Sequence, residues 1–355
     1  MNFQETLDDF KRKVNIELEA FFNKTIKDTT QKDEFIADSL RYVKKLTLSG
    51  GKRLRAALMY YGYLACGGKE EKEMIKTSVS IELIHIFLLI HDDIIDRDLK
   101  RHGVDTIHHT YEKIGKKIFS QSDNEHFGKS MAIIIGDMIG ALGNQIIFNS
   151  SFNPELVVKA LSKLQSIVSL TVIGQSQDLY IEYKRKATEK EILKMYENKT
   201  AKYTIEGPLQ LGAILGRASD ETLKKIGNYA IPIGIAFQIQ DDILGIFGSE
   251  EKMGKSVGAD IKEGKQTILL SKAGEKANKE QKKNLERIFG NQSITKKEVG
   301  EFRKIIIETG SLEYAKNLST ELISGGKREL EKLEIKGEAK NFLLGMADYM
   351  MSREV

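Results

Sequence analysis

Apolar residues recur at intervals of three and four along most of the chain. Between Phe3 and Phe22 they fall at Leu7, Phe10, Val14, Leu18, Phe21 and Phe22, which traces one stripe of a helix. The same spacing predicts helices around 53–65, 74–96, 131–150, 155–184, 189–215, 220–247, 265–274, 299–309, 311–324 and 338–352. Sustained apolar–polar alternation, the mark of a half-buried strand, is scarce, so strands are not expected. Two polar stretches, Lys116 to Lys129 and Glu275 to Lys283, read as exposed loops or solvated helix ends. No fixed-period repeat is evident, and no linker-like stretch divides the chain. The pattern predicts one all-α domain over residues 1–355.

Composition sharpens this picture. Only Pro154, Pro208 and Pro232 interrupt 355 residues, in keeping with long helices. Lys and Arg number 55 against 51 Asp and Glu, a net charge of +4. So even a balance speaks against nucleic acid as a partner. A hydrophobic content of 41% is too high for disorder. Cys66 stands alone, which excludes an internal disulfide and suits a reducing cytoplasm. The chain turns acidic by Glu5, without the apolar stretch of a secretory leader. Its longest apolar runs, near 83–90 and 131–135, fall short of the roughly 20 residues that cross a bilayer, so a protein that spans no membrane is expected.

Two apolar segments end in acid. The first runs from Val79 through Glu82, His85 and Phe87 to His91-Asp92-Asp93 and Asp96. At 100° per residue, His85, Asp92 and Asp96 lie within about 40° on one stripe. Like charges one turn apart repel, and carboxylates at a helix C-terminus oppose its dipole; a cation would relieve both. The second segment runs from Ile231 through Phe237, Gln238 and Gln240 into Asp241-Asp242. One such cluster could be a solvated helix end, since acids are common on surfaces. Two, each after an unusually apolar helix, point to carboxylates sharing a hard ion, Mg²⁺ first. His85, His91, His108 and His109 offer no convincing zinc spacing.

Basic residues sit near these acids. Gly50-Gly51-Lys52-Arg53-Leu54-Arg55 opens a helix, with Lys52 and Arg55 on one face. Lys100-Arg101-His102-Gly103 follows the first acidic cluster. Gly254-Lys255, Asp260 and Gly264-Lys265-Gln266-Thr267 follow the second, and Asn198-Lys199-Thr200-Ala201-Lys202-Tyr203 lies between the two. Any one of these groups alone reads as a solvated face, and the first lacks the spacing of a Walker A loop. Beside metal-binding acids, however, they point to a phosphorylated substrate, best a diphosphate. No Ser/His/Asp or Cys/His nucleophile set is present, and Cys66 reads as a small packed hydrophobe.

In this order the motifs resemble the trans-isoprenyl diphosphate synthases, or polyprenyl synthetases: GGKRLR, ELIH, HDDIIDRD, GQSQDL, KTAKY, then FQIQDDILG with GK and GKQT. The resemblance covers about residues 50–267. It implies a single-domain bundle of long helices around a deep central cavity, the isoprenoid synthase type I fold, usually as a homodimer. It implies head-to-tail condensation of isopentenyl diphosphate with dimethylallyl, geranyl or farnesyl diphosphate, assisted by three Mg²⁺ ions. Asp92, Asp96 and Asp241 would be metal ligands, with Asp93 and Asp242 in support. Arg101, Lys199, Lys255 and Lys265 would hold the allylic diphosphate; Lys52, Arg55, His85 and the residue at His102 would hold isopentenyl diphosphate. Thr200 and Gln238 would lie beside the reacting carbons, and Gln175 and Asp178 near the metals. Apolar walls from Ile84, Leu88, Ile233 and Phe237 would keep water from the carbocation, though each suits plain core packing equally well.

Product length is implied by position. An aromatic residue five places before the first Asp marks one type of geranylgeranyl synthase, and here it is Phe87; the next position, aromatic in farnesyl synthases, is Leu88. Phe87 lies off the Asp92/Asp96 stripe whereas Leu88 lies on it, so geometry alone does not single Phe87 out. Two departures stand out: His102 replaces a second arginine, and Gly245 stands where many relatives carry a third Asp. Rival readings are a farnesyl or longer-chain synthase, a class I terpene cyclase, a non-catalytic subunit of a heteromeric prenyl synthase, and a helical scaffold without metal dependence.

Overall fold

The computed structural model describes residues 2–248, 258–335 and 337–352. Its internal contacts gather into two compact units, Met1–Leu161 and Ser162–Val355.

The first unit is built on α4 (Glu71–Ile95), against which α1 (Phe3–Thr30), α3 (Leu54–Ala65), α5 (Ile107–Ile118) and α6 (Asn124–Phe148) pack. The helix α4 is apolar almost all round and buries Met74, Val79, Ile81, Leu83, Ile84, Ile86 and Ile90, as a helix surrounded by others must. Helix α1 starts at a capping box of Asn2 and Glu5, and buries the predicted stripe Leu7, Phe10, Val14, Leu18 and Phe22. Side chains of α4 lie over glycines of α6: His91 over Gly136, Phe87 over Gly140 and Ile84 over Gly143. A side chain at any of these glycines would crowd the seam, so the notches set how closely the two helices approach.

Two helices here went unpredicted. Helix α2 (Glu34–Leu48), capped by Asp33, and α5 both carry their apolar residues on one strongly amphipathic face, and charged faces broke the apolar pattern in the sequence. A two-stranded hairpin also forms, β1 (Lys100–Arg101) paired antiparallel with β2 (Val104–Asp105). Strands two residues long leave no alternation to detect. The polar stretch from Lys116 to Lys129 is a pair of helix ends, as expected.

In the second unit α10 (Asp220–Phe247) is central and packs on α15 (Ser311–Glu331) and on a ten-residue π-helical segment, Glu197–Glu206. That segment joins α8 (Glu189–Tyr196) to α9 (Gly207–Leu215), within what the periodicity predicted as one continuous helix over 189–215. The remaining described helices are α7 (Pro154–Lys184), which begins in the first unit, α11 (Ala259–Glu263), α12 (Ile268–Lys276), α13 (Lys279–Ile288), α14 (Lys296–Glu308) and α16 (Gly337–Ser352). Helix α13 was another polar stretch not predicted as helix. A core of Ile181, Tyr196, Ile239, Ile243, Ile268, Phe302 and Ile306 closes this unit.

Three helices, Asn124–Phe148, Pro154–Lys184 and Asp220–Phe247, are long and apolar enough to cross a membrane by length and composition. Uninterrupted apolar runs miss them because Gly, Ser and Gln are interspersed without adding charge.

Candidate active site

Asp92 and Asp93 lie in the last turn of α4 and Asp96 is its C-cap residue, with the Asp96 N–H bonded to the Asp92 carbonyl at 2.8 Å. Asp92 and Asp96 are partly exposed, whereas Asp93 is fully buried. Arg101 on the hairpin reaches back to Asp93, its Nε at 2.7 Å and its Nη2 at 2.5 Å from Oδ1. Burial raises the Asp93 carboxyl to about 6 against the pull of Arg101. Asp93 Oδ2 is buried and receives no hydrogen bond from the described residues. Arg101 is thus anchored by the acid beside the exposed pair.

The predicted isopentenyl diphosphate residues belong to the same unit. Lys52 is exposed and Arg55 half-buried in the first turn of α3. Between them Arg53 adopts a left-handed φ of 56° and turns inward. It donates to Asn15 Oδ1 at 2.8 Å and the Thr47 carbonyl at 2.6 Å, and lies 3.6 Å from Glu82 Oε2. Glu82 in turn accepts the Ala56 N–H of α3 at 3.1 Å. Arg53 and Glu82 were not predicted as part of the site, because a lysine- and arginine-rich loop and one acid in an apolar helix carry no mark that they pair.

His85 is surrounded by cations. Burial and the charges of Arg55, Arg101, Arg53 and His102 push its titration well below the usual histidine range, so it is a neutral imidazole at pH 7. His102, with φ 49°, lies over Gly50, whose missing side chain would stand 2.5 Å from the ring. Phe87 packs in the α4–α6 seam over Gly140, edge-on to His91 at 5.0 Å between ring centroids. Leu88 is half-buried. Ile84 and Ile233 are core residues filling notches at Gly143 and Gly326.

In the second unit, the Thr200 hydroxyl donates to Gln238 Oε1 at 2.6 Å, and Gln238 Nε2 donates to Asp242 Oδ1 at 2.9 Å. The Tyr196 hydroxyl donates to Asp242 Oδ2 and accepts the Ile268 N–H at 3.2 Å. Asp242 is buried with both oxygens engaged; burial raises it to about 8, with Asp260 and Asp241 adding to the rise. It therefore positions Gln238 and Tyr196, and through Gln238 Thr200. Asp241, its neighbour, is partly exposed. Tyr196 escaped prediction because tyrosine at helical spacing reads as core.

Lys199 donates to Asp178 Oδ2 at 2.5 Å, and Asn198 to Gln177 Oε1 at 3.1 Å. Gln175 is half-buried on the same helix, α7. Two glycines hold the π-helical segment. A side chain at Gly174 would overlap the Lys199 backbone, and one at Gly234 would overlap Ala201. Lys265 pairs with Glu263 at 2.9 Å. Lys255 lies outside the described residues.

The described clefts are elsewhere. One of about 660 Å³ lies among α1, α4 and α6, with Phe21, Lys76, Val79 and Ile146 in its lining. One of about 350 Å³ lies beside Arg185 and Glu263. Among the described residues no three acids or histidines are already gathered around one metal position.

Known proteins resemble this chain. A geranylgeranyl diphosphate synthase of Methanosarcina mazei is 36% identical over 306 residues, covering 86% of this chain and 87% of its own. One from Saccharolobus solfataricus is 30% identical over 345 residues, covering 95% and 98%. A geranylfarnesyl diphosphate synthase of Natronomonas pharaonis is 29% identical over 339 residues, covering 91% of each. The crystal structure of geranylgeranyl pyrophosphate synthase from Corynebacterium glutamicum, complexed with isoprenyl diphosphate and magnesium, superposes with a TM-score of 0.92 at 29% identity, covering 98% and 99%. The polyprenyl synthetase family profile matches residues 36–306. With the profile match over most of the chain and relatives of this identity and coverage, the chain belongs to the polyprenyl synthetases and is a prenyltransferase.

Proposed function

We propose that the chain condenses isopentenyl diphosphate with an allylic diphosphate, head to tail, to give geranylgeranyl diphosphate. The observation that carries this reading is the same in both units: a partly exposed aspartate stands beside a buried one that is tied to the cationic or polar groups of the site. Asp92 and Asp96 accompany Asp93–Arg101, and Asp241 accompanies Asp242–Gln238–Thr200.

The donor set fits magnesium. It consists of carboxylates, with the Asp93 Oδ2 orphaned in the interior, and Mg²⁺ favours one or two carboxylates completed by substrate phosphates over a preassembled cage. Asp92, Asp96 and Asp241 would hold such ions, three in number, with Asp93, Asp242 and Asp178 behind them. Bound there, they would supply Lewis-acid stabilisation of the charge on the departing diphosphate.

The chain's own residues do the rest. Arg101 and Lys199, held by Asp93 and Asp178, present fixed positive charge to the allylic diphosphate with little reorganisation. Lys255 and Lys265 are assigned to the same anion. Lys52 and Arg55 grip isopentenyl diphosphate; neutral His85 offers it a hydrogen bond. Thr200 and Gln238 orient the reacting carbons, and apolar side chains exclude water from the carbocation. The family match runs through residue 161 without a break, which supports one functional domain over 1–355. Exposed Ile133, Ile134 and Phe148 on α6 support a homodimer. We read the protein as soluble and cytoplasmic.

The test is incubation of purified protein with isopentenyl diphosphate, each allylic starter and Mg²⁺, followed by sizing of the dephosphorylated products. Twenty-carbon product is expected, and no elongation from any starter rejects the reading. Phe87→Ala should lengthen the product, since the ring closes the seam at Gly140; an unchanged product removes Phe87 as the floor.

His102→Arg should leave kcat intact and lower the KM for isopentenyl diphosphate a few-fold. Burial and the cations around it keep His102 below its usual titration range, whereas arginine is always charged and offers a planar fork of donors. A rise in KM contradicts this role.

A further inference from the structure

The π-helical segment meets α10 at several places. Thr200 of the segment donates to Gln238 of α10. Tyr196, the last residue of α8 before the segment begins, donates to Asp242. Ala201 lies against Gly234, where an added Cβ would overlap its Cα. The pairs are 196 with 242, 200 with 238 and 201 with 234, so the two stretches run antiparallel in one register. A π-helix of ten residues calls for such outside support, because π-helices mostly occur as single turns within α-helices, frequently at functional sites. The Thr200 contact alone would let the segment pivot. The Tyr196 contact stops the pivot at the point where the wider turns begin.

The Tyr196 hydroxyl is itself fixed. The residue is 2% exposed, and its ring belongs to the core of Ile239, Ile243 and Ile268. The N–H of Ile268, the first residue of α12, reaches the hydroxyl oxygen at 3.2 Å. A backbone N–H can only donate, so the hydroxyl proton is left for Asp242. The other Asp242 oxygen accepts Gln238 Nε2 at 2.9 Å, which turns Gln238 Oε1 to the Thr200 hydroxyl at 2.6 Å. The contacts close a ring, from Tyr196 through Asp242 and Gln238 to Thr200 and back along the chain.

We propose that Tyr196 is a positioning residue for the condensation: its hydroxyl fixes the register of the π-helical segment on α10, and with it the place of the Thr200 hydroxyl. This rests on the diphosphate-synthase reading above, and the test separates the two.

Steady-state kinetics of the full-length protein with isopentenyl diphosphate, an allylic diphosphate and Mg²⁺ compares the wild type, Tyr196→Phe, Gln238→Ala and the double variant. Tyr196→Phe keeps the ring in the core and removes only the hydroxyl. It should lower kcat at least about ten-fold, a displacement of about 1 Å at a reacting group being worth about 100-fold. The KM of each substrate should stay within about three-fold, because Lys199 keeps Asp178, and Lys265 keeps Glu263 and the Asp260 carbonyl. In the Gln238→Ala background the same change should cost less than about two-fold, since contacts that hold one register act as a unit. If the wild type elongates no starter, the diphosphate-synthase reading itself falls, and this proposal with it. If the wild type elongates and Tyr196→Phe keeps kcat within about two-fold, the proposal alone is overturned. It is also overturned if KM rises while kcat holds, or if the two losses multiply in the double variant. Loss of helical circular dichroism in Tyr196→Phe overturns it too, since that would mark a purely structural role.

Discussion

Glu82→Ala should lower folding stability by about 3–5 kcal/mol, the cost of leaving one member of a buried ion pair without its partner. Arg53 and Glu82 are 5% and 4% exposed. Truncation leaves the Arg53 guanidinium with Asn15 and the Thr47 carbonyl, two neutral acceptors, and leaves the Ala56 N–H in the first turn of α3 without its acceptor. Arg53 is also held left-handed between Lys52 and Arg55, so relaxation there would move both of the residues proposed to grip isopentenyl diphosphate. A raised KM for isopentenyl diphosphate should accompany the loss. Glu82→Gln keeps an acceptor for Ala56 and should lose less. Replacing both residues by apolar ones of similar volume should recover much of the stability while leaving the KM high, since packing can substitute for a buried pair but not for the loop conformation it imposes. Urea or thermal unfolding of the variants, with kinetics on each, checks this. A loss below about 1 kcal/mol for Glu82→Ala would place the pair among weak solvated ones.

Gly174→Ala should reduce kcat by about 100-fold with a much smaller change in melting temperature. The added methyl would fall on the backbone nitrogen and Cα of Lys199. Backbone cannot rotate out of the way as a flexible side chain can, so the π-helical segment or α7 must move. A displacement of about 1 Å at a catalytic group is enough for that loss. The opposite side of the segment is closed by Gly234, which meets Ala201, so there is no free direction in which Lys199 and Thr200 can retreat. Gly274→Ala in α12 is the control: nothing lies within 4 Å of its added methyl, and the change should leave kcat intact while stabilising the helix by about 0.5–1 kcal/mol. Single-turnover kinetics separates the effect on chemistry from one on product release. Activity of Gly174→Ala within two-fold of the wild type would show that the segment yields freely.

How much of this was legible beforehand varies with the range of the interaction. Long apolar segments such as α4 and α10, and the amphipathic stripe of α1, identify themselves, because apolar residues recurring at three- and four-residue spacing over several turns are buried as helices. Helices α2, α5 and α13 are shorter and carry more charge, and their faces emerged only once neighbours covered them. The acidic clusters and the basic loops were legible because each lies within a few residues in sequence. The π-helical segment was not, because the local pattern of 189–215 is as compatible with an ordinary helix; the extra residue per turn depends on what Gly174 and Gly234 permit.

From its residue order alone, then, this protein's helical class, its paired acids, its basic loops and its family could be known. Tertiary structure alone decided which aspartates are buried, that Asp93 holds Arg101, that Asp242 holds Gln238 and Tyr196, and that the Asp260 carboxylate lies against Gly245. The division has a physical reason. Periodicity and motif chemistry act over a few residues and are written in sequence spacing. Desolvation, close backbone approach and the pairing of distant polar groups depend on which surfaces meet, and no local spacing encodes that.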